Sequence, residues 1–210
     1  MTDQDLLTEL QYALLEPPDN GQSWPSGVWT RDEILDNLNA GCRRVARETR
    51  AVTTYLEQFI TNSSLSVSMP GDWLETAALV WRTFPANVRT PLLPMDAFEA
   101  DSARPGWETT EGTPLGYVDL DTNTLELRLV PTPDVTGTLE NLYVPLPATV
   151  NGNGMDMPLP DELMTAVKYD CLNVTLRGVT RLADPERAAY CAERSQISIL
   201  AIQMLLQGGT

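Results

Sequence analysis

The chain has 210 residues, 42% of them hydrophobic, a formal net charge of −15 and no histidine. Such a length and composition suit one ordinary domain, or a core with a large insertion, and exclude wholesale disorder. With only 14 Lys and Arg, binding to DNA by phosphate neutralisation is a poor fit, and the missing histidine removes the commonest general base and metal ligand.

The first segment, "TDQDLLTELQYALLE", predicts a helix with Thr2 as its N-cap and Leu6, Leu7, Leu10, Ala13 and Leu14 at helical spacing. Lacking a basic n-region and an apolar h-region, it predicts neither secretion nor membrane insertion. Pro17 and Pro18 end the helix, and the loop "PPDNGQSWPSGVW" is expected to carry Trp24 and Trp29 exposed. Thr30 opens the strongest helix signal. "TRDE" is a capping box, and Ile34, Leu35, Leu38, Cys42, Val45, Thr49, Val52, Leu56 and Phe59 keep a period of three and four. These positions predict one long amphipathic helix from about 31 to about 60, stopped by "TNSS".

From Leu65 to about Val150 the period changes. "LSVSM" alternates, "AALVWRTF" is rich in strand formers, and "VRTPLLP" suits an edge strand or irregular chain because Pro91 and Pro94 cannot donate to a ladder. "MDAFEADSAR" predicts one or two helical turns. The following stretch, through "LELRLVPTPDVTGTLENLYVPLP", reads as short strands punctuated by Gly, Pro and Asx residues, with Leu125–Pro147 as a hairpin. Its first half alternates cleanly (Leu125, Leu127 and Leu129 against Glu126 and Arg128), whereas Leu139 is out of phase with Leu142 and Val144.

Helical spacing returns with Leu163, Ala166, Val167, Asp170, Cys171, Val174 and Leu176, ending at Arg177-Gly178. "ADPERA" then places Asp184 at an N-cap and Pro185 at the first helical position. The last helix, "PERAAYCAERSQISILAIQMLLQ", is apolar nearly all round in its second half, and a flexible "GGT" tail is expected after it. The predicted class is mainly α with an inserted antiparallel β region. A bundle of about four helices would carry a β-hairpin or small sheet between the second and third. In domain terms, 1–29 is an N-terminal helix and Pro-rich loop, 30–62 with 158–210 a helical body, and 63–157 a β-rich insertion.

Chemistry is sparsely signalled. Cys42, Cys171 and Cys191 are odd in number and far apart, which suits reduced core residues. "DLDTNT" begins like a calcium loop, but Thr124 and Val130 stand where the sharp-turn Gly and the bidentate Glu are needed, so an Asx-rich turn is expected. Asp96, Glu99, Asp101, Glu108 and Glu111 leave a two-carboxylate polysaccharide hydrolase formally open. No catalytic, metal-binding or cofactor-binding residue is assigned, and no cofactor is expected. Trp73, Trp81 and Trp107, like Trp24 and Trp29, lie outside the predicted long helices, as interface or core-capping aromatics.

Four stretches together carry a likeness: "WTRDEILDNLNAGCRRVARET", "MPGDWLETAALVW", "GTPLGYVDLDTNTLELRLVPTPDVTGTLENLYVPLP" and "LPDELMTAVKYDCLNVTLRG…ADPERAAYCAERSQ". In this order the chain resembles the head–tail connector or adaptor proteins of tailed bacteriophages. The most specific element is Trp107 with Gly112, Pro114 and Tyr117, then Pro131-Thr132-Pro133, then a strand ending in Tyr143. The resemblance implies a non-enzymatic virion protein: a ring, usually of twelve subunits, that docks beneath the portal, continues its DNA channel and connects to tail or nozzle proteins. DNA would only pass through, and no membrane is involved. On this reading Ile199, Ile202, Met204, Leu205 and Leu206 face the portal or a neighbouring subunit. Trp107, Tyr117 and Tyr143 face tail components or neighbours. Another neck or tail role, as gatekeeper or tail-tube component, stays open beside it.

Overall fold

A computed structural model of the chain describes residues 1–15, 24, 28–121, 125–178 and 183–207. Most of the Pro-rich loop after Leu15, the end of the Asx-rich turn and the "GGT" tail lie outside the described residues. In chain order the elements are α1 (Asp3–Ala13), α2 (Arg31–Thr49), β1 (Thr54–Ile60), β2 (Ser66–Ser68), β3 (Trp73–Thr83) and β4 (Arg89–Met95). Then come α3 (Ala97–Ala103), β5 (Glu111–Gly112), β6 (Gly116–Asp121), β7 (Glu126–Val130), β8 (Thr132–Pro133) and β9 (Gly137–Pro145). A 3-10 turn at Asp161–Leu163 leads into α4 (Met164–Arg177), and α5 (Pro185–Gln207) follows. Two compact units result: Met1–Val52 with Pro147–Thr210 (unit 1), and Thr53–Leu146 (unit 2).

Unit 1 is built on caps and apolar stripes. Thr2 and Asp5 form a capping box on α1, and Thr30 and Glu33 form another on α2. Each satisfies backbone N–H groups that a helix start leaves orphaned. Asp184 accepts from the Arg187 N–H at 3.0 Å and starts α5. Leu6, Leu10, Ile34, Leu38, Val45, Leu163 and Val167 are almost wholly buried and make the core. The buried Asp3 carboxylate ties α1 to the "NGNG" loop, accepting from the N–H groups of Gly152 (2.7 Å), Asn153 (3.2 Å) and Gly154 (2.8 Å). Both glycines have positive φ there, +71° and +79°, which a side chain rarely tolerates.

Unit 2 overturns the expected bundle with a small hairpin. A seven-stranded sheet forms in the order β1-β9-β3-β4-β6-β7-β2, with β5 and β8 as a separate pair. The two halves of the expected hairpin do not pair with each other. Instead β7 lies between β6 and β2, while β9 lies between β1 and β3. Because β9 is a central strand, Leu139, Glu140 and Asn141 are all buried, which is why its alternation is blurred. At Gly137 a Cβ would lie 2.4 Å from the Trp81 ring, so only glycine lets β9 pass that indole.

The long helix expected to reach residue 60 stops at Thr49. Arg50 takes the left-handed conformation (φ 51°, ψ 28°) and closes α2, and Thr54–Ile60 becomes β1. Tyr55, Glu57 and Phe59 face out, while Leu56 and Gln58 are half-buried and Ile60 is buried. That is strand alternation in residues of high β propensity.

"VRTPLLP" is neither an edge nor irregular, since β4 is an interior strand. It pairs with β3 over Arg89–Leu92 and with β6 over Leu93–Met95. The Leu93 N–H donates to Leu115 O on the β6 side. Alternation therefore aims the Pro91 nitrogen at that side before β6 pairing begins, and the Pro94 nitrogen at the β3 side after β3 pairing ends. Neither proline interrupts a ladder bond.

Candidate functional site

The second half of α5 is a surface feature that the sequence singled out. Ala188, Cys191, Ser195 and Ile199 form its inward stripe. Ser195 Oγ donates to Ala166 O at 3.1 Å, and Gln203 Nε2 donates to Glu48 O at 2.7 Å, fixing the helix against α4 and the end of α2. Beyond that stripe the helix is apolar and uncovered. Ile199 is buried, Ile202 is half-buried, and Met204, Leu205 and Leu206 are 70%, 78% and 47% exposed. Ile197 and Leu200 add to the exposed face. The five predicted residues thus divide into an anchor, Ile199, and an exposed end.

The three aromatic residues expected at contacts are core residues of unit 2. Trp107 packs with Ala100, Val118 and Val130 and donates from Nε1 to Asp101 Oδ1 at 3.0 Å. Tyr117 is buried in the main cluster with Trp81, Leu127 and Leu129. Tyr143 is in the same cluster, and its hydroxyl donates to Asp72 Oδ1 at 3.2 Å. Burial, reinforced by the Asp72 charge, pushes its pKa up. Trp29, expected on an exposed loop, is also buried, while Trp24 is half-buried.

Sequence reasoning missed a charged cluster on the sheet. Glu57, Arg82 and Glu140 lie on neighbouring strands, and Arg89 is on β4. Arg82 pairs with Glu57 at 3.4 Å and with Glu140 at 3.0 Å, and Arg89 pairs with the other Glu140 oxygen. Two guanidiniums therefore compensate one buried carboxylate. No sequence signal could have found this, because it depends on pairing between strands far apart in the chain. A second missed group is the apolar surface around β4 and α3, where Leu93, Phe98 and Leu115 are 62%, 78% and 57% exposed.

The buried titratable groups of unit 1 include Asp170 and three thiols. Asp170 on α4 is buried and accepts from Arg44 Nη1 at 2.6 Å. Burial raises its pKa and Arg44 opposes that rise. Cys42, Cys171 and Cys191 are free and buried. Burial pushes the first two thiols up to about 12, far from the thiolate form that reacts or binds metal. Among the described residues no group of three or more Cys, Asp or Glu is placed to hold a metal ion, and no helix is long and apolar enough to cross a membrane.

The described surface presents uncovered apolar side chains at the end of α5 and around β4 and α3, over two cored units, a surface of the class that structural proteins carry. Comparison with known proteins gives this class its family. The chain belongs to the SU10 adaptor protein family, whose model matches residues 1–204, and is thus a structural adaptor protein of bacteriophage particles. No curated protein matches the chain.

Proposed function

We propose that this adaptor joins head to tail: a ring of twelve copies docks beneath the portal, extends its DNA channel and connects to tail or nozzle proteins in the virion neck. The family match over residues 1–204 carries this reading. The exposed end of α5 supports it, because large uncovered apolar side chains on a water-soluble surface mark an interaction site. In this reading unit 1 is the ring body. Met204, Leu205 and Leu206, with Ile202 at their edge, meet the portal or the next subunit, and Ile199 holds the helix in place. Unit 2 faces neighbours or tail components, its contact surface set from within by Trp107, Tyr117 and Tyr143. The net charge of −15 suits a channel wall along which DNA slides without adhering. The role is mechanical, with no catalytic step.

Deleting the gene and supplying the full chain in trans tests the proposal. The expected result is DNA-filled heads and free tails without the protein, and joined particles with it. Joined, infectious particles made in its absence would overturn it.

A further inference from the structure

The loop Asn151-Gly152-Asn153-Gly154 sets two Asn-Gly pairs in succession. Such pairs are chemically labile, because a following glycine has no side chain to keep its backbone nitrogen away from the asparagine Cγ. The glycine nitrogen bonds to Cγ, the Cγ–Nδ2 bond breaks, and ammonia departs carrying the glycine's amide proton. Water then opens the cyclic imide at one of its two carbonyls, leaving aspartate or, with the backbone rerouted through the side chain, isoaspartate. Asn151 and Asn153 are both exposed, so water reaches them freely.

The fold withholds the nucleophiles instead. The Gly152 N–H donates to Asp3 Oδ2 at 2.7 Å, and the Gly154 N–H donates to Asp3 Oδ1 at 2.8 Å. One carboxylate thus holds the attacking nitrogen of both pairs. Asp3 is 2% exposed, so solvent does not compete for these bonds. The attacking form of an amide nitrogen is the deprotonated one. Ionising it here would break the hydrogen bond and set two negative charges together. Rotation in the loop is restricted as well. Asn151 Oδ1 accepts from the Asn153 N–H at 3.2 Å, and Arg31 Nη2 donates to the Asn151 and Gly152 carbonyls at 3.3 and 2.6 Å. Asp3 itself is placed by α1, whose first residue it is, and its N–H donates to Met155 O at 2.9 Å.

We infer that the loop is a guarded modification site: with α1 docked, Asp3 keeps Asn151 and Asn153 as amides, and with α1 undocked both deamidate. The change runs one way. A new carboxylate at 151 or 153 adds negative charge beside Asp3, and isoaspartate lengthens the backbone inside the cradle of three N–H groups. A chain so altered cannot restore the original contact between α1 and the loop. This chemistry is independent of the adaptor role.

The test incubates the full chain at neutral pH and reads positions 151 and 153 by mass spectrometry that separates aspartate from isoaspartate. Folded wild type should keep both amides, while the same chain in urea loses them. Asp3→Ala, with folding checked by circular dichroism, should lose them at least about tenfold faster than folded wild type, since opening no longer limits attack. Thr2→Ala removes the acceptor for the Asp5 N–H at the same helix start but leaves Asp3, and should stay close to the wild-type rate. Equal rates for Asp3→Ala and wild type overturn the inference. So does a Thr2→Ala rate matching that of Asp3→Ala, which would assign protection to the helix start as a whole. Should Asp3→Ala fail to fold, Asp3→Asn decides: it keeps one acceptor oxygen, so at least one pair should convert at least about tenfold faster. Full protection of both pairs in a folded Asp3→Asn chain overturns the inference.

Discussion

Replacing Arg44 by alanine strips the counter-charge from a buried carboxylate of unit 1. The Asp170 side chain is 5% exposed, and its Oδ2 has no hydrogen-bond partner among the described residues. Removing one member of a buried ion pair costs about 3–5 kcal/mol. Arg44 is itself 46% exposed, so water partly replaces it, and roughly 2–4 kcal/mol is expected at pH 7.5. Asp170 can relieve part of this by taking up a proton. Burial already raises its pKa against the opposing effect of Arg44, so losing Arg44 raises it further. A carboxyl group with a raised pKa in the folded chain holds its proton more tightly there than in the unfolded chain. The stability it contributes is fully present below the ordinary Asp range and is lost as pH rises through the folded value, by at most ~1.4 kcal/mol per pH unit. The deficit of Arg44→Ala should therefore be small at pH 4.5 and grow toward pH 7.5. Urea titrations followed by far-ultraviolet circular dichroism read this out, because α1, α2, α4 and α5 all belong to unit 1. Adding Asp170→Asn should abolish the pH dependence. An equal deficit at both pH values, or a pH dependence that survives Asp170→Asn, refutes the reasoning.

Gly137→Ala should lower the stability of unit 2 by about 2–3 kcal/mol, since the new methyl would meet Trp81 at 2.4 Å and Arg82 O at 2.7 Å. Thermal melting read by near-ultraviolet circular dichroism of the tryptophans checks it. Thr30→Ala removes the side chain that accepts from Glu33 N at 3.2 Å and should cost about 1 kcal/mol in a urea titration. Met204→Glu with Leu205→Glu should shift stability by less than about 0.5 kcal/mol, because both side chains are exposed. The same pair should reduce incorporation into particles by more than about tenfold, or ~1.4 kcal/mol of contact energy. Quantitative mass spectrometry of purified particles measures that loss.

Helix starts were legible because their signals are local. Thr2, Thr30 with Glu33, and Asp184-Pro185 each act within one turn, and each caps the helix it marks. The sheet was not legible, because its partners are set by contacts between distant segments. β1 shows the ambiguity best: Leu56 and Phe59 extend the spacing of α2, yet seven residues also fit a strand, and a left-handed Arg50 decides between the two. In β4 the prolines argued for an edge, and only the change of partner at Leu93 explains how an interior strand accommodates them. Within the candidate site, the uncharged run from Ser195 to Leu206 was plain in the sequence. Composition alone could not separate anchoring Ile199 from exposed Leu205, or reveal that Trp107, Tyr117 and Tyr143 point into a core.

In the proposed role the chain forms the ring joining head to tail. An electron cryo-microscopy reconstruction of the particle's neck tests it most directly. The account predicts twelve copies between portal and tail, with the end of α5 buried in a contact. Density for the chain elsewhere in the particle, or a neck in which Met204 and Leu205 touch no neighbour, would contradict it.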